Sequence, residues 1–507
     1  RLYMLQGNLA GGGADEPIDG TRGLAGAAVP AAWCYNEGSC SGFFDRLSGP
    51  GSARGSSTMN PVARVIVRPA QFAAAAVLVA AGATVAITAA EPTPDRIAPE
   101  SLWRHVQGTG QLGDTRQVTP EWHEADGGRL TLRSGTSDTP SWSWATIPAP
   151  AGGWDLTRRA AVEATIVNRG PAVVEVAVWV VGERGMDASG DFHKLSPGER
   201  TTFSCTLRPR FPDGTAALDP RRISGVRVML TRPPAATTLD VTSLVATGDA
   251  PPWQPIDGRL EPPPIEEGVP GPGRRVRRRL SSDAGTGIHH LLYLPVDWRP
   301  GGRYPVVVEY PGNIHFVPGC YSTGLPDQCA IGFGMSRGAG TIWLSMPFVD
   351  RGRSMVVESG WGDPDDTADY CVDVVKDVCA RFGGDRDRLV LTGFSRGAIA
   401  CGYIGLRNDS IAALWRGFHV CQHYDGDGWG AADMAGAVER ARRFRGRSVF
   451  HTDNPEERVR PVTEALGVPS IFVASGLGGH ATAMFLDDRP STVSLRRWYA
   501  ELTDAKP

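Results

Sequence analysis

The segment from residue 389 to residue 404 constrains the fold of this chain more than any other. An apolar run, Leu389-Val390-Leu391-Thr392, predicts a β-strand, and the small-residue run from Ala398 to Ile404 predicts a helix. Between them lies Gly393-Phe394-Ser395-Arg396-Gly397, which fits the pattern Gly-x-Ser-x-Gly. A strand that turns sharply into a helix at such a serine strains the serine backbone and lifts the hydroxyl above the sheet edge. The sequence therefore predicts a nucleophilic serine at position 395.

The same five-residue pattern occurs a second time, at Gly334-Met335-Ser336-Arg337-Gly338. No apolar strand precedes this serine, and the run from Thr341 to Met346 predicts a strand after it. A nucleophile turn requires a helix at that place. Ser336 is therefore predicted to be an ordinary loop serine.

The bulk composition indicates a multidomain globular protein. A length of 507 residues favours two or three domains, and 41% hydrophobic residues suffice for a full core. The net charge of −3 argues against a nucleic-acid partner. We interpret the basic run from Arg274 to Arg279 as a solvated linker end or strand edge. No motif with the spacing of a zinc site is present, so neither a metal nor a cofactor is expected.

An export signal is predicted from Met59 to about Ala90. Arg64 and Arg68 form a positive segment, the run from Phe72 to Ala83 is almost unbroken in its apolar character, and Thr88-Ala89-Ala90 offers small residues for cleavage. We expect a natural start at Met59, residues 1–58 as an upstream extension, and a secreted or periplasmic protein without a stable membrane anchor. An uncleaved anchor is the alternative, because apolar and small residues continue to position 90.

The cysteines allow one disulfide to be suggested. Seven of the nine cysteines follow Met59, and an exported protein can form disulfides. Cys320 and Cys329 bracket a short polar loop and are the pair that we would test first.

Residues 97–248 carry the pattern of an all-β domain. Short alternating runs such as 161–167 and 173–180 are separated by turn residues, which predicts a β-sandwich. The order of these runs resembles the jelly-roll, galactose-binding-like modules of secreted polysaccharide-active enzymes. Trp142 and Trp144 fall on one face of a strand, where they form either a sugar-binding platform or a contact with the opposite sheet.

A different pattern follows a proline-rich segment. Residues 249–274 contain many prolines and are predicted to form a semi-rigid linker. Residues 275–507 alternate between strands and helices, as at the strand 304–310, the helix 365–382 and the final helix 491–502. This alternation predicts an α/β domain whose mostly parallel sheet has helices on both faces.

A nucleophilic serine needs a histidine to take its proton and a carboxylate to orient that histidine. His480 follows the strand 471–474 through a glycine-rich loop, and we predict that it is the base. Asp453, directly after the strand 448–450, is the preferred acid. Asp425, one strand earlier, is the alternative acid, and Glu456 is the next choice.

The oxyanion that forms during acyl transfer needs N–H donors. One is predicted to be the backbone N–H of Arg396, directly after the serine. The second is expected from the loop Tyr310-Pro311-Gly312-Asn313, through the N–H of Gly312 or Asn313. The side chain of Arg396 is expected either to contact the substrate or to form a structural salt bridge.

Residues 275–507 resemble the α/β-hydrolase superfamily through Gly393-Phe394-Ser395-Arg396-Gly397, Pro311-Gly312-Asn313 and Gly479-His480. The general form is similar to secreted polyhydroxybutyrate depolymerases and feruloyl or acetyl esterases. The Ser-Arg pair also resembles glucuronoyl esterases, but Phe394 and Gly397-Ala398 depart from their motif. The resemblance implies a serine esterase that forms an acyl-enzyme on carbohydrate-linked or polymeric esters. A peptidase or acyltransferase on the same fold, and a non-catalytic carbohydrate-binding protein, remain alternatives.

Overall fold

The structure is a computed structural model, which describes residues 98–103, 106, 110–125, 128–134, 142–183, 187–233, 237–254 and 258–504. The predicted extension at 1–58 and the predicted signal segment at 59–90 lie outside the described residues. In the described part of the chain, no helix is long and apolar enough to cross a membrane.

The first half of the described chain consists of two antiparallel sheets. Strands β3-β4-β11-β6-β9 form one sheet, in which β1 also pairs with β11, and β2-β5-β10-β7-β8 form the other. Their bounds are β1 (Glu100–Ser101), β2 (Thr115–Arg116), β3 (Val118–His123), β4 (Arg129–Ser134), β5 (Trp142–Pro148), β6 (Arg159–Asn168), β7 (Val174–Gly182), β8 (Ala188–Leu195), β9 (Arg200–Thr206), β10 (Ile223–Thr231) and β11 (Thr238–Asp249).

The alternation of these strands explains how the two sheets pack. In β6, Val162, Ala164 and Ile166 are all fully buried, because side chains two residues apart point to the same face. They belong to one apolar core to which β7, β10 and β11 also contribute. The antiparallel sheets expected from the sequence are therefore present, while the domain boundaries at 97–248, 249–274 and 275–507 stay predictions.

The second half contains a mixed sheet and seven α-helices in its described residues. The strands are β12 (Ile265–Glu266), β13 (Arg275–Arg278), β14 (His290–Tyr293), β15 (Tyr304–Tyr310), β16 (His315–Val317), β17 (Cys320–Ser322), β18 (Ile342–Ser345), β19 (Val349–Asp350), β20 (Met355–Val356), β21 (Gly384–Phe394), β22 (Gly417–Cys421), β23 (Ser448–Thr452) and β24 (Ile471–Val473). The helices are α1 (Ile331–Ser336), α2 (Pro364–Phe382), α3 (Arg396–Tyr403), α4 (Asp409–Ala412), α5 (Met434–Ala441), α6 (Glu456–Leu466) and α7 (Pro490–Asp504).

The nine-stranded sheet has the order β12-β13-β14-β18-β15-β21-β22-β23-β24. From β18 to β24 every neighbouring pair is parallel, whereas β14 runs antiparallel to both of its neighbours. Helices α2 and α3 contribute to the core on one face, and α1 and α7 to the core on the other. The α/β class predicted from the sequence is confirmed. Because the strands are parallel, the loops after β15, β21, β22, β23 and β24 leave the same edge of the sheet.

The two halves belong to one compact unit, Ala89–Pro507, and an aromatic cluster joins them. The hairpin of β16 and β17 places Phe316 and Tyr321 against Trp144 and Trp179 of the antiparallel sheet. Trp142 contacts the same hairpin, with its ring centroid 5.5 Å from that of Phe316. The two alternatives expected for Trp142 and Trp144 are thus replaced by a third arrangement, since this face of the sheet is covered by the hairpin.

The disulfide suggested by the sequence is not formed. Among the described residues, all seven cysteines are thiols, including Cys320 and Cys329. Cys329 lies in the core beneath the sheet, with its sulfur 3.8 Å from the carbonyl oxygen of Glu309, whereas Cys320 is in β17 on the hairpin. The prediction was wrong because the polar loop that they bracket holds the two thiols in different surroundings.

Candidate active site

Ser395 lies at a sharp turn between β21 and α3. Its backbone has φ 54° and ψ −119°, a conformation that L-residues other than glycine rarely adopt. Ser395 is the residue directly before α3, and its carbonyl oxygen accepts the N–H groups of Ala398 and Ile399. Its own N–H donates to the carbonyl oxygen of Cys421 at the end of β22. The turn predicted from the sequence is present, and its strain is held by the neighbouring strand and helix.

Both glycines of this turn are required by close backbone approach. A Cβ atom on Gly393 would lie 2.1 Å from the carbonyl oxygen of Gly397. A Cβ atom on Gly397 would lie 2.0 Å from the carbonyl oxygen of Tyr310, at the end of β15. No side chain fits at either position, so the elbow (residues 393–397) can form only with glycine at both flanks.

The second match to the pattern has a different structure. Ser336 is the last residue of α1, and its hydroxyl donates to the carbonyl oxygens of Gly332 and Phe333. The prediction of a loop serine was wrong, because a short helix spans residues 331–336. The strand predicted after it is confirmed as β18, so Ser336 does not occupy a strand-to-helix turn.

His480 lies beside the elbow. It belongs to the histidine loop (residues 474–482) that follows β24, and its ring centroid is 4.6 Å from that of Phe394. Burial, and to a smaller degree the charges of His423 and His315, lower the pKa of His480 to about 3. The imidazole is therefore neutral at ordinary pH, as a proton acceptor must be. Within the described residues, no hydrogen bond joins it to the Ser395 hydroxyl, which is common in sites without substrate.

Asp453, the preferred acid, holds the histidine loop rather than the histidine itself. Its carboxylate accepts the N–H and the hydroxyl of Ser475, each at 2.6 Å. The side-chain amide of Gln422 donates both to Asp453, at 3.2 Å, and to the carbonyl oxygen of Gly479, at 2.8 Å. Asp453 thus fixes the start of the loop directly and its end through Gln422.

The other two candidate acids lie in different settings. Asp425 makes a two-pronged ion pair with Arg440, with both N–O distances 2.8 Å. Such a pair commits both carboxylate oxygens to the guanidinium, which indicates a structural role. Glu456 is the exposed first residue of α6. The structure brings neither residue into hydrogen-bond contact with His480.

A histidine–carboxylate pair that we did not predict lies next to His480. His423 donates through Nδ1 to Asp427, and its ring centroid is 5.7 Å from that of His480. His423 follows β22 by two residues, so it emerges from the same edge of the sheet as Ser395. That position was the available sequence signal for His423, although the sequence had indicated only Asp425 in the segment after β22.

The predicted oxyanion donors come from neighbouring segments. The backbone N–H groups of Gly312, Asn313 and Arg396 have no acceptor among the described residues. Arg396 is the first residue of α3, where the N–H groups have no partner within the helix and the helix dipole is positive. The ring of Phe394 lies 3.0 Å from the place of a Cβ on Gly312, which brings that loop against the elbow. The donors are therefore available near Ser395.

The side chain of Arg396 serves neither of the roles that we considered. Its guanidinium is fully buried and donates to the carbonyl oxygens of Gly360, Gly312 and Gly324, at 2.7, 2.9 and 2.8 Å. It also lies 3.9 Å from the ring centre of Phe348. Burial lowers the pKa of Arg396 to about 9, which leaves the side chain protonated at neutral pH. Arg396 holds three loops together beneath the elbow and is out of a substrate's reach.

A cavity of about 260 Å³ opens between the two halves of the protein, and His480 lines it. The β-sandwich contributes Trp179, Phe192, Arg210 and Phe211, and the β16–β17 hairpin contributes Tyr321. Most of its lining is aromatic or aliphatic, with Arg210 as its charged member. The antiparallel half of the protein therefore forms one wall of the space beside the candidate base.

The loop between β9 and β10 of the sandwich (residues 207–222, the β9–β10 loop) packs directly on the histidine loop. A Cβ atom on Gly479 would lie 2.7 Å from the ring of Phe211, and one on Gly478 would lie 2.9 Å from Pro212. Arg489 donates to Thr215 of the β9–β10 loop at 3.1 Å and to the carbonyl oxygen of Ser475 at 3.0 Å. The sandwich thereby contributes to the placement of His480.

No cluster of metal-binding side chains is present in the described parts of the chain.

Comparisons with known proteins give similarity to solved hydrolases at low identity. No family model matches the chain, and no curated protein matches it significantly in sequence. An apo isopeptidase is 13% identical with a TM-score of 0.35, over 78% of this chain and 62% of that chain. The chain thus spans about three fifths of that isopeptidase.

Two further similar structures cover only part of this chain. An esterase from Thermogutta terrifontis is 17% identical with a TM-score of 0.28, over 43% of this chain and 85% of the esterase. A sugar hydrolase from Lactococcus lactis is 12% identical with a TM-score of 0.30, over 46% and 96% of the two chains. Likeness of this degree does not establish a function for this chain.

Replacement of Gly393 by alanine tests the geometry of the elbow. Because the new Cβ would lie 2.1 Å from a backbone oxygen, the strand and helix must separate. We expect Gly393→Ala to lower the free energy of unfolding by about 1–3 kcal/mol, as overpacking does. Gly271→Ala is the control, since its Cβ would meet only the side chain of Arg274, at 3.6 Å. Denaturant unfolding followed by tryptophan fluorescence measures both, and equal stabilities would contradict the geometry.

Proposed function

We propose that this protein is a serine hydrolase with an α/β-hydrolase fold that cleaves carboxylic esters. The observation that carries the proposal is the strained backbone of Ser395, at φ 54° and ψ −119°, in a glycine-flanked turn from strand to helix. Strain of this kind is retained only where the surroundings enforce it, and it concentrates at functional sites. The neutral imidazole of His480 beside the same turn supports the assignment of a nucleophile and a base.

The proposed reaction uses the residues of this chain in two steps. In the first, His480 takes the hydroxyl proton of Ser395 while the serine oxygen bonds to the ester carbonyl carbon. The bond to the alcohol then breaks, and His480 gives its proton to the departing oxygen. In the second, water attacks the acyl-enzyme with the help of His480, which releases the acid and restores Ser395.

The negative charge that develops on the carbonyl oxygen is proposed to be bound by backbone N–H groups. Those of Arg396 and of Gly312 or Asn313 are suited to this role, because none has an acceptor among the described residues. Loss of a single oxyanion donor in other enzymes costs about 10²–10³ in kcat. The rigid anchoring of this region by the Arg396 side chain supports the same role, since preorganised donors need no rearrangement during the reaction.

Asp453 is proposed as the carboxylate that keeps His480 in place. Its contacts with Ser475 and Gln422 hold both ends of the segment that leads to His480. A displacement of about 1 Å at a catalytic group can cost about 10²-fold in rate. The residue therefore acts through the loop in the present structure.

The natural substrate is proposed to be an ester outside the cytoplasm, linked to a carbohydrate or a polymer. This part rests on the predicted export signal and on the resemblance of the first half to modules of secreted polysaccharide-active enzymes. An amide substrate is the competing possibility, because the same residues serve peptidases. Turnover of peptides above that of esters would favour it.

The nucleophile is tested by comparing Ser395→Ala with Ser336→Ala in the full chain. Hydrolysis of p-nitrophenyl acetate should fall by about 10⁴-fold or more in Ser395→Ala, because the covalent step is lost. Ser336→Ala should stay within about twofold, since its hydroxyl bonds the carbonyl oxygens of its own helix and the N–H of Gly338 just after it. Release of nitrophenolate measures both rates, and circular dichroism checks the fold. Equal activity of Ser395→Ala and the unmodified protein would refute the proposal.

The lowered pKa of His480 predicts an unusual acid limit of activity. An ordinary histidine with a pKa of about 6.5 is mostly protonated at pH 5, and an enzyme that depends on it loses more than tenfold by that pH. With a pKa of about 3, His480 stays neutral at pH 5. We expect kcat/KM at pH 5 to remain within about twofold of its value at pH 7.

Stability must be controlled in this pH experiment. His290, His419 and His451 are also buried, and burial lowers the pKa of each to about 3. The unfolded chain takes up protons at these sites below about pH 6.5 while the folded chain does not, so stability falls as the pH falls from 6.5 towards 3. Brief assays with return of samples to pH 7 separate the two effects. A reversible tenfold loss by pH 5 would contradict a neutral His480.

The role of Asp453 is tested against that of Asp427. Asp453→Asn keeps the size of the side chain but weakens its acceptor bonds to Ser475, so His480 should shift and kcat should fall by about 10²-fold. Asp427→Asn, which changes the acceptor of His423 and of the Trp429 N–H, should cost less than about fivefold. The kcat of each variant on p-nitrophenyl acetate is the quantity to compare. A larger loss in Asp427→Asn would show that the His423–Asp427 pair, and not Asp453, supports His480.

A further inference from the structure

We propose that the cavity between the two halves is the binding site for the alcohol portion of the substrate. We infer that it accepts an aromatic ring, preferably one that carries a negative charge. The inference rests on the proposed function, because it assigns the two sides of an ester to two sides of the site. It gives the β-sandwich a direct part in substrate selection.

The lining of the cavity fits one aromatic ring. Its volume of about 260 Å³ lies just below the range of about 300–1,000 Å³ for pockets that hold drug-sized ligands, so it has room for a single substituted ring. Trp179, Phe192, Phe211 and Tyr321 provide aromatic walls. Aromatic rings prefer edge-to-face or offset contacts with one another, and such contacts discriminate rings from short alkyl groups.

His480 determines which side of the ester faces this cavity. The histidine that takes the serine proton gives it to the departing alcohol oxygen, so that oxygen must lie next to the imidazole. Since His480 itself lines the cavity, the alcohol portion is directed there. The acyl portion, which stays on Ser395, is directed elsewhere.

Arg210 provides the preference for negative charge. Its guanidinium donates to the carbonyl oxygen of Gly214 at 2.6 Å, and it has no carboxylate partner in the described chain. The nearby Asp213 is paired with Arg489, with an N–O distance of 3.0 Å. The cavity therefore has an exposed, unneutralised cation at its wall, which favours an anionic group on the bound ring.

The wall formed by the β9–β10 loop is fixed in position. Arg489 joins this loop to the histidine loop through Asp213, Thr215 and the carbonyl oxygen of Ser475. Phe211 packs on Gly479, one residue before His480. The aromatic wall and the base are thus parts of one rigid assembly, so a ring bound against the wall has a defined position relative to His480.

Two acetate esters that differ only in charge test the assignment. They are 4-acetoxybenzoate, whose alcohol portion is anionic, and its neutral methyl ester. The measured quantity is the ratio of their kcat/KM values, compared between the unmodified full chain and Arg210→Gln, so that intrinsic reactivity cancels. We expect the ratio to fall by about threefold to fivefold in Arg210→Gln, as suits an exposed charge pair, and to be largely kept in Arg210→Lys.

Matched controls separate this effect from general damage. Arg133→Gln removes another exposed arginine of the sandwich, which lies outside the cavity lining, and should leave the ratio unchanged. Phe192→Leu and Phe192→Ala should raise KM for the methyl ester relative to ethyl acetate, by up to about tenfold for alanine. The ratio of p-nitrophenyl acetate to p-nitrophenyl butyrate reports on the acyl side and should not change in any of these variants.

Each outcome separates the inference from the proposed function. If ester hydrolysis depends on Ser395 but Arg210→Gln leaves the charge ratio unchanged, the inference is wrong and the function stands. A shift in the acetate-to-butyrate ratio instead would place the acyl group in the cavity and would also overturn it. If no ester is cleaved, the binding of 4-hydroxybenzoate is measured by tryptophan fluorescence, and this measurement tests the site. Weaker binding in Arg210→Gln would support the site, and no binding to the unmodified protein would refute it.

Discussion

The buried guanidinium of Arg396 is the interaction on which the candidate site depends. Arg396 follows Ser395 directly and donates to carbonyl oxygens from three separate loops, at Gly312, Gly324 and Gly360. Hydrogen bonds from a charged donor contribute about 1.5–3 kcal/mol each, and a buried carbonyl that loses its donor carries a penalty of similar size. The elbow, the loop at Gly312 and the segment before α2 are therefore held together by one side chain. The site can be rigid even though it is composed of loops.

The loops that Arg396 holds also connect the candidate site to the first half of the chain. The Gly312 loop leads into the β16–β17 hairpin, and that hairpin places Phe316 and Tyr321 against the tryptophans of the antiparallel sheet. Arg116 of the sandwich pairs with Glu358, which lies two residues before Gly360. On the other side, the β9–β10 loop packs on the histidine loop. The sandwich thus packs against two sides of the candidate site, so the first half is part of the structure around that site and not only a tethered module.

The sequence predicted those elements of the fold that depend on local sequence pattern. Strand β21, the glycine-flanked turn and helix α3 were predictable because backbone sterics at the elbow leave few alternatives. Helix α2 was predictable from the cap at Asp363 and the glycine at its end. Contacts between residues far apart in the sequence were not predictable. Arg275, expected in a solvated basic run, is buried against the ring of Trp343, because the neighbour that covers it is almost seventy positions away in the chain.

The burial of His480 could not be predicted from the sequence for the same reason. This burial makes it costly to protonate the imidazole. Burial disfavours the charged imidazole, yet the proposed reaction must charge His480 for as long as the tetrahedral intermediate lasts. No described carboxylate bonds to that ring, and the neighbouring His423 lowers its pKa further. Asp427 holds His423, whose ring packs edge-on against His480, and Asp453 lies behind Gln422 and Ser475. An imidazole with a low pKa is a weak base, so it takes the serine proton less readily. Once protonated, it is a strong acid and gives the proton readily to the departing alcohol.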